Sequence, residues 1–561
     1  MYKFIIKFFF ILILFYQSPI YSKSASFNNF DSKNLSKYFS AIIASENKNN
    51  SDSLNFLNSS KILLKKHDPY LKRYIYSLVL ENKVSEAISI LKKNKNKKNA
   101  DFFDANLLLI LDSIKKDKFE KAYFHLLNET SFNQEDRLSS AIVETLRQYI
   151  YVFKENKIAL DKKTFGQLSI ISEAFQRCYL DDNQTSNYFN DLVNNSSDDY
   201  TRYTFFYLSY LIENNELEKA KRIVNKLDYI NSSLLLSQGK NWIETDKHKI
   251  IKNFFSCKNH KDLIGEFLFL ISNLYSSQDD FKKSNFYLNL SYYFNPKFIF
   301  NLSLVAENQY FNNEFSKAKK TLKNFKQEYS FYYWYRVKQQ ANIILKQRNK
   351  NEAINYINSE FLKINKPNQK ILFDIANFYR NLKEYKKAIE YYSLLVEIID
   401  DNSKIKSEIL YRRGGSYERL GDYEKADKDL LKSLKINTED AYVLNYLAYS
   451  WLERNYQIGK AIEMLEKAYS LTENDPYIID SIGWAYFMVK DYIKAEKFLR
   501  RAVELMPYDP IVNDHYGDIL WRLDRKIQAR YFWKNALNME DAEKDLVKKI
   551  EIKIINGLSD T

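Results

Sequence analysis

Glycine and proline are scarce in this chain, with 10 and 7 residues among 561. So few turn formers exclude a β-rich or α/β architecture, which needs them at its hairpins and strand-to-helix corners. Cysteine is nearly absent as well. Two residues, Cys178 and Cys257, exclude a disulfide framework. One bridge between them is open in an oxidising compartment, but two ordinary buried thiols are the expectation. No phosphate-cradling G-x-x-x-x-G-K or G-x-G-x-x-G loop occurs, and no Gly-x-Ser-x-Gly elbow. None of the five histidines falls in His-Glu-x-x-His. His248, Cys257 and His260 come nearest to a metal set, yet a closed zinc site takes four ligands and only three cluster here. The expectation is a chain with no catalytic residues, no metal and no cofactor.

What is present suits helices. Apolar residues make up 45% and aromatics 16%, enough to bury an extensive core and too much for disorder. A length of 561 residues exceeds one ordinary core, so several domains or one long solenoid follow. The net charge of +14 admits nucleic acid or anionic membrane as partners. Lys, Asn, Ile, Phe and Tyr all have AT-rich codons, however, and base composition accounts for much of that charge. The excess is also uneven. Residues 407–561 carry 24 basic against 27 acidic side chains, and residues 1–406 carry 61 against 44.

The last third repeats itself. Gly414, Ala448, Gly483 and Gly517 recur at steps of 34 or 35 residues, as do Ala426, Ala461, Ala495 and Ala529, and Ser433, Ala468, Ala502 and Ala536. Each window holds two amphipathic helical patterns, and small residues where helices cross let two backbones approach. Asp440, Asp475 and Asp509 stand where a side-chain oxygen caps the next helix, with Pro476 and Pro510 in its first turn. The twelve-residue spacing between small positions continues upstream at Ala376/Ala388, Ala341/Ala353, Ala306/Ala318 and Ser272/Ser284. Ala220 sits in a further second-helix pattern, and Ser53, Ala87 and Ala122 repeat at the same period. Ser403–Lys406 reads as an inserted turn, and Lys92–Lys98 and Asn194–Asp199 as polar loops.

These windows resemble tetratricopeptide repeats: a small residue, Tyr three positions later (Gly414/Tyr417, Gly483/Tyr486), then alanine, a large residue and alanine. Tyr477–Tyr486 and Pro510–Leu523 further resemble the C-terminal repeats of exported alphaproteobacterial members of that family. The resemblance implies an all-α solenoid, a right-handed superhelix of antiparallel helix pairs. The expected organisation is a signal peptide over 1–22, degenerate repeats over 23–134, irregular helical repeats over 135–264, repeats over 265–402 and 407–543, and a capping helix with its tail over 544–561. Lys3 and Lys7 before the apolar run Phe8–Tyr16 make the export signal. Periplasmic location follows, with an uncleaved inner-membrane anchor as the alternative.

By resemblance, first-helix positions 2, 5, 9 and 12 line the concave face. Carried onto this chain they give Glu408, Tyr411 and Glu418, then Tyr442, Asn445 and Tyr449. Tyr477, Asp480, Trp484 and Phe487 follow, and Asp514, Asp518 and Trp521 close the set. Aromatics flanked by carboxylates suit an extended peptide with apolar and basic side chains. The Lys/Asn/Arg clamp that grips C-terminal carboxylates is missing, and His515 falls between groove positions as a packed or surface residue. The expected function is a non-catalytic scaffold for protein or peptide ligands in envelope assembly or secretion, with peripheral membrane association open. The alternative is a glycan-handling solenoid for an exported polysaccharide. No nucleic-acid partner is expected.

Overall fold

A computed structural model describes residues 32–65, 67–94, 98–128, 137–194 and 201–559. The expected export signal lies outside them, as do residues 95–97 and 195–199 of the two polar runs. Among the described residues every regular element is helical and no strand occurs. None of these helices is long and apolar enough to cross a membrane. The chain divides into two compact units at Glu360/Phe361.

In the second unit the columns of small residues are the helix crossings. Ala426, Ala461, Ala495, Ala529, Ala468, Ala502 and Ala536 are buried. The first column faces the second helix of its own hairpin so closely that a Cβ on Gly414 would stand 3.0 Å from Leu430 and 3.2 Å from the Ala426 carbonyl. Large side chains opposite the glycines fill the space a methyl would occupy. The caps stand where the sequence puts them. Asp440 accepts from the Val443 amide (3.2 Å), Asp475 from Tyr477 and Ile478 (3.0 and 3.2 Å), and Asp509 from Ile511 and Val512 (2.9 and 3.0 Å).

The scarcity of glycine has a structural counterpart. The hairpins of this unit turn through left-handed residues: Lys383, Gly421, Asn455 together with Gln457, Lys490 and Asp524. Only one is glycine. Asn and Asp tolerate that conformation because their short side chains bond locally, whereas Lys does so at a cost.

The inserted turn differs from expectation. Ser403 is the N-cap of the Lys404–Glu418 helix, so Lys404–Lys406 form its first turn and the extra residues precede it. Lys406 is buried, and its ammonium bonds the Ile399 carbonyl (2.9 Å) and the Val396 carbonyl. It thereby satisfies the free end of the preceding helix.

The first unit keeps the same crossings upstream. Ser272, Ser284, Ala306, Ala318, Ala341 and Ala353 are all buried. Lys92–Asn94, expected in a loop, complete the Val84–Asn94 helix. Within this unit the Phe281–Phe294 helix packs on Asp68–Leu80, some two hundred residues earlier. Phe286 stacks on Tyr76 (4.8 Å), and Asn289 donates to the Val79 and Leu80 carbonyls (2.9 and 3.1 Å). Such a contact goes beyond the neighbour-to-neighbour stacking of a simple solenoid. An ion pair on the buried Glu266 braces the unit further. Arg202 forks onto Glu266 (both bonds 2.7 Å), reaches Asn301 (2.7 Å) and lies over Phe269.

Cys178 and Cys257 correct the sequence reading. They form a disulfide, with Cα atoms 5.8 Å apart and a sequence separation of 79. Spacing in sequence carried no sign of the pairing. The bridge also removes Cys257 as a thiolate ligand, so the His248/Cys257/His260 grouping has no third donor.

Candidate functional site

The candidate face is built from the first helices of successive hairpins: Lys404–Glu418, Ala441–Glu453, Pro476–Met488 and Pro510–Arg522. On all but the first of these, the second helical residue stands out: Tyr442, Tyr477 and Ile511 are 57%, 58% and 47% exposed. They recur at the repeat period. Large apolar side chains held this far into water at a regular interval are an unpartnered stripe, since isolated ones occur on any surface. Ile511 escaped the sequence reading. Its signal was there, because it lies 34 residues after Tyr477 in the same column.

Deeper on this face the carboxylates are engaged. Asp480 accepts from His515 Nδ1 (2.8 Å), and the imidazole lies flat on the Trp484 indole at 4.1 Å. Phe487 also stacks on that indole, at 4.7 Å. His515 is therefore a packed residue, with Asp480 as its counter-ion. Burial alone would pull its pKa down, but the charges of Asp480, Asp514 and Asp518 prevail and raise it. A protonated imidazole stacked on an indole also gains cation–π attraction.

The last hairpin repeats this device with a lysine. Lys553, from the C-terminal helix Lys544–Asn556, donates to both oxygens of Asp514 (2.8 Å each) and to Asp518 (2.7 Å). Trp533 Nε1 donates to the other Asp518 oxygen (2.9 Å). Burial, then the neighbouring Asp514, pushes Asp518 up to about 6, with Lys553 opposing. Each position-five carboxylate thus meets a cation from the following helix: Asp480 meets His515, and Asp514 meets Lys553. Trp521 is half-buried against Trp533 and beside Gly557.

The other predicted residues are half-buried within the array. Tyr411 meets Tyr446 edge-on at 5.7 Å, and Tyr446 donates to Glu418 (2.9 Å). Glu408 pairs with Arg412 (2.8 Å). Tyr449 sits near Glu453, Asp480 and Asp514, and burial followed by those charges raises its hydroxyl. Asn445 Oδ1 and Asp480 Oδ1 have no hydrogen-bond donor. The structure therefore sorts the predicted set. Asp480, Asp514 and Asp518 are buried counter-ions within the array, and Tyr442 and Tyr477 are the members presented to solvent. Lys553 could not be found from sequence, since its role depends on where the final helix folds back. As for chemistry, the face offers apolar area and oriented dipoles, and its one imidazole is committed to packing.

Comparison with known proteins agrees with this architecture. The tetratricopeptide-repeat family matches residues 369–402 and 407–440, two consecutive hairpins of the second unit. A TPR repeat-containing protein of Pseudomonas aeruginosa is 34% identical over 110 residues, 20% of this chain and 18% of that protein. A BBSome complex member, BBS4 of Bos taurus, is 25% identical over 170 residues, 30% of this chain and 32% of that one. The chain thus spans less than a third of either relative. Among solved structures, a thermophilic TPR protein of Thermus thermophilus aligns with 16% identity and a TM-score of 0.30, covering 34% of this chain and all of that one.

Proposed function

We propose that the chain, whose residues 369–402 and 407–440 match the tetratricopeptide-repeat family, is a non-catalytic scaffold whose C-terminal array holds a protein or peptide segment. The segment lies along the first-helix face, with apolar side chains against Tyr442, Tyr477 and Ile511. The observation that carries the reading is this stripe, exposed at three successive repeats. Rings and a branched aliphatic chain supply contact area at low entropic cost. With the aspartates committed inside the array, the ligand's apolar side chains matter more than the sequence reading supposed.

The scaffold acts outside the cytoplasm, in envelope assembly or secretion. Two features support that. One is the charged-then-apolar N-terminal stretch Lys3–Tyr16. The other is the buried Cys178–Cys257 bridge, a pairing that persists in oxidising compartments and is rare in reducing ones.

The test is capture from envelope extract by the full chain and by its Tyr442→Ala/Tyr477→Ala variant. Both side chains are exposed, so the variant should unfold within about 0.5 kcal/mol of the parent. It should lose the partners the parent retains. Identical partner sets would remove this face from the account, and cytoplasmic fractionation of the tagged chain with both thiols reduced would remove export.

A further inference from the structure

The C-terminal helix Lys544–Asn556 stands where another hairpin would begin. It buries fewer side chains than the first helices before it. Ile550 is its one fully buried residue, whereas Pro510–Arg522 buries ten residues and Pro476–Met488 eight. Leu546 and Ile554 lie half-buried against the core beside Ile550, and polar bonds complete the attachment: Lys553 on Asp514 and Asp518, Arg530 on the Ile554 carbonyl (3.0 Å), and Arg522 on the Ser559 carbonyl (2.6 Å). Elements with few buried apolar side chains open before the rest of a fold. On its outer side Ile552 and Ile555 are exposed.

What this helix covers is the end of the candidate face. Asp514, Asp518 and Trp521 are the groove positions of the last repeat, and Lys553 and Gly557 lie on them. A departing helix would leave two buried carboxylates without a counter-ion, which is costly unless another cation arrives. We propose that this helix is a detachable occupant of the last groove position, and that the partner replacing it is a helix bearing an apolar residue and a lysine one turn apart. Ile550 and Lys553 are the internal template for those anchors. The proposal rests on the first-helix face being where partners bind, and it adds the partner's chemistry and the contact it must displace.

The probe is a labelled synthetic peptide of residues 544–559, added to the full chain and to its Ile550→Asp/Lys553→Glu variant, whose own helix cannot seat. The variant should bind the peptide at least about thirty-fold tighter than the parent, and Lys553→Met in the peptide should cost at least about thirty-fold, the minimum for truncating a buried charge pair. Equal binding by both chains overturns the proposal, as does a Lys553→Met peptide that binds as well. No binding to a variant that keeps amide protection over 476–537 overturns it too. Should the variant lose that protection, exchange in the parent decides. Amides of 544–556 should exchange about a hundredfold faster than those of 510–522, and exchange as one unit refutes a detachable helix. Peptide binding that follows these rules, with envelope capture unaffected by Tyr442→Ala/Tyr477→Ala, would leave the displacement standing and remove the stripe.

Discussion

Gly517→Ala tests the helix-crossing logic most directly. A methyl at this position would lie 2.4 Å from Trp533 Cδ1 and Nε1, well inside the ordinary contact of about 3.5–4.0 Å. The indole has nowhere to go. It is fully buried, stands 5.4 Å from Trp521, and is tied through Nε1 to Asp518 at 2.9 Å. Overpacking of this kind costs about 1–3 kcal/mol. Breaking the bond to a buried carboxylate adds about 1–3 kcal/mol. Better helix propensity returns about 1 kcal/mol. The net expectation is a loss near 3 kcal/mol, within a range of about 1–5 kcal/mol. Urea unfolding followed by tryptophan fluorescence measures it. Gly459→Ala is the control, since nothing lies within 4 Å of its added methyl. That change should stabilise by up to about 1 kcal/mol. If Gly517→Ala unfolds at or above the parent's midpoint, the glycine column does not mark close crossings and the packing argument fails.

Removing the Cys178–Cys257 bridge should lower the first unit's stability by about 4 kcal/mol, from the entropy of a 79-residue loop in the unfolded chain; calorimetry of the Cys178→Ala/Cys257→Ala chain reads it. Arg202→Met leaves Glu266 buried without its partner and should cost about 3–5 kcal/mol, whereas Arg202→Met with Glu266→Leu should recover most of that loss. Stability of the second unit should fall as pH rises from about 4, first through Asp518 and then, above about 6.5, through His515. His515 has a raised folded pKa, so its contribution is full below the unfolded value near 6.5 and is lost through the higher folded one. Asp518 titrates at about 6 in the fold against about 3.9 unfolded, so its ionisation removes stability over that interval as well. Unfolding midpoints across this range check the sign, and His515→Gln should flatten the upper part. Lys490→Gly should stabilise by up to about 1 kcal/mol, because its left-handed backbone suits glycine better than lysine.

Much of the second unit was legible because repetition tests itself. A glycine or alanine that returns after 34 residues, with a capping aspartate and a proline at matching offsets, reports the same local geometry several times over. Gly483, Asp475 and Pro476 did this, and the helices began where they pointed. The candidate face was only half legible. Period and resemblance identified which residues share it, but exposure depends on what neighbouring helices bring. Asp480 and Tyr477 belong to the same helix face, yet one is a buried counter-ion and the other stands in solvent, because His515 arrives from the following repeat.

Sequence by itself thus determined the helical hairpins, their period, their caps and their close crossings. All of these arise within about forty residues of chain, where local propensity and hairpin packing decide. Tertiary structure alone decided the Cys178–Cys257 bridge, the packing of Phe281–Phe294 on Asp68–Leu80, and the seat of Lys553 between Asp514 and Asp518. The first two join groups many helices apart, where the geometry accumulates over the elements between, and the third depends on how the final helix folds back on the last hairpin. No periodicity in the chain records that sum.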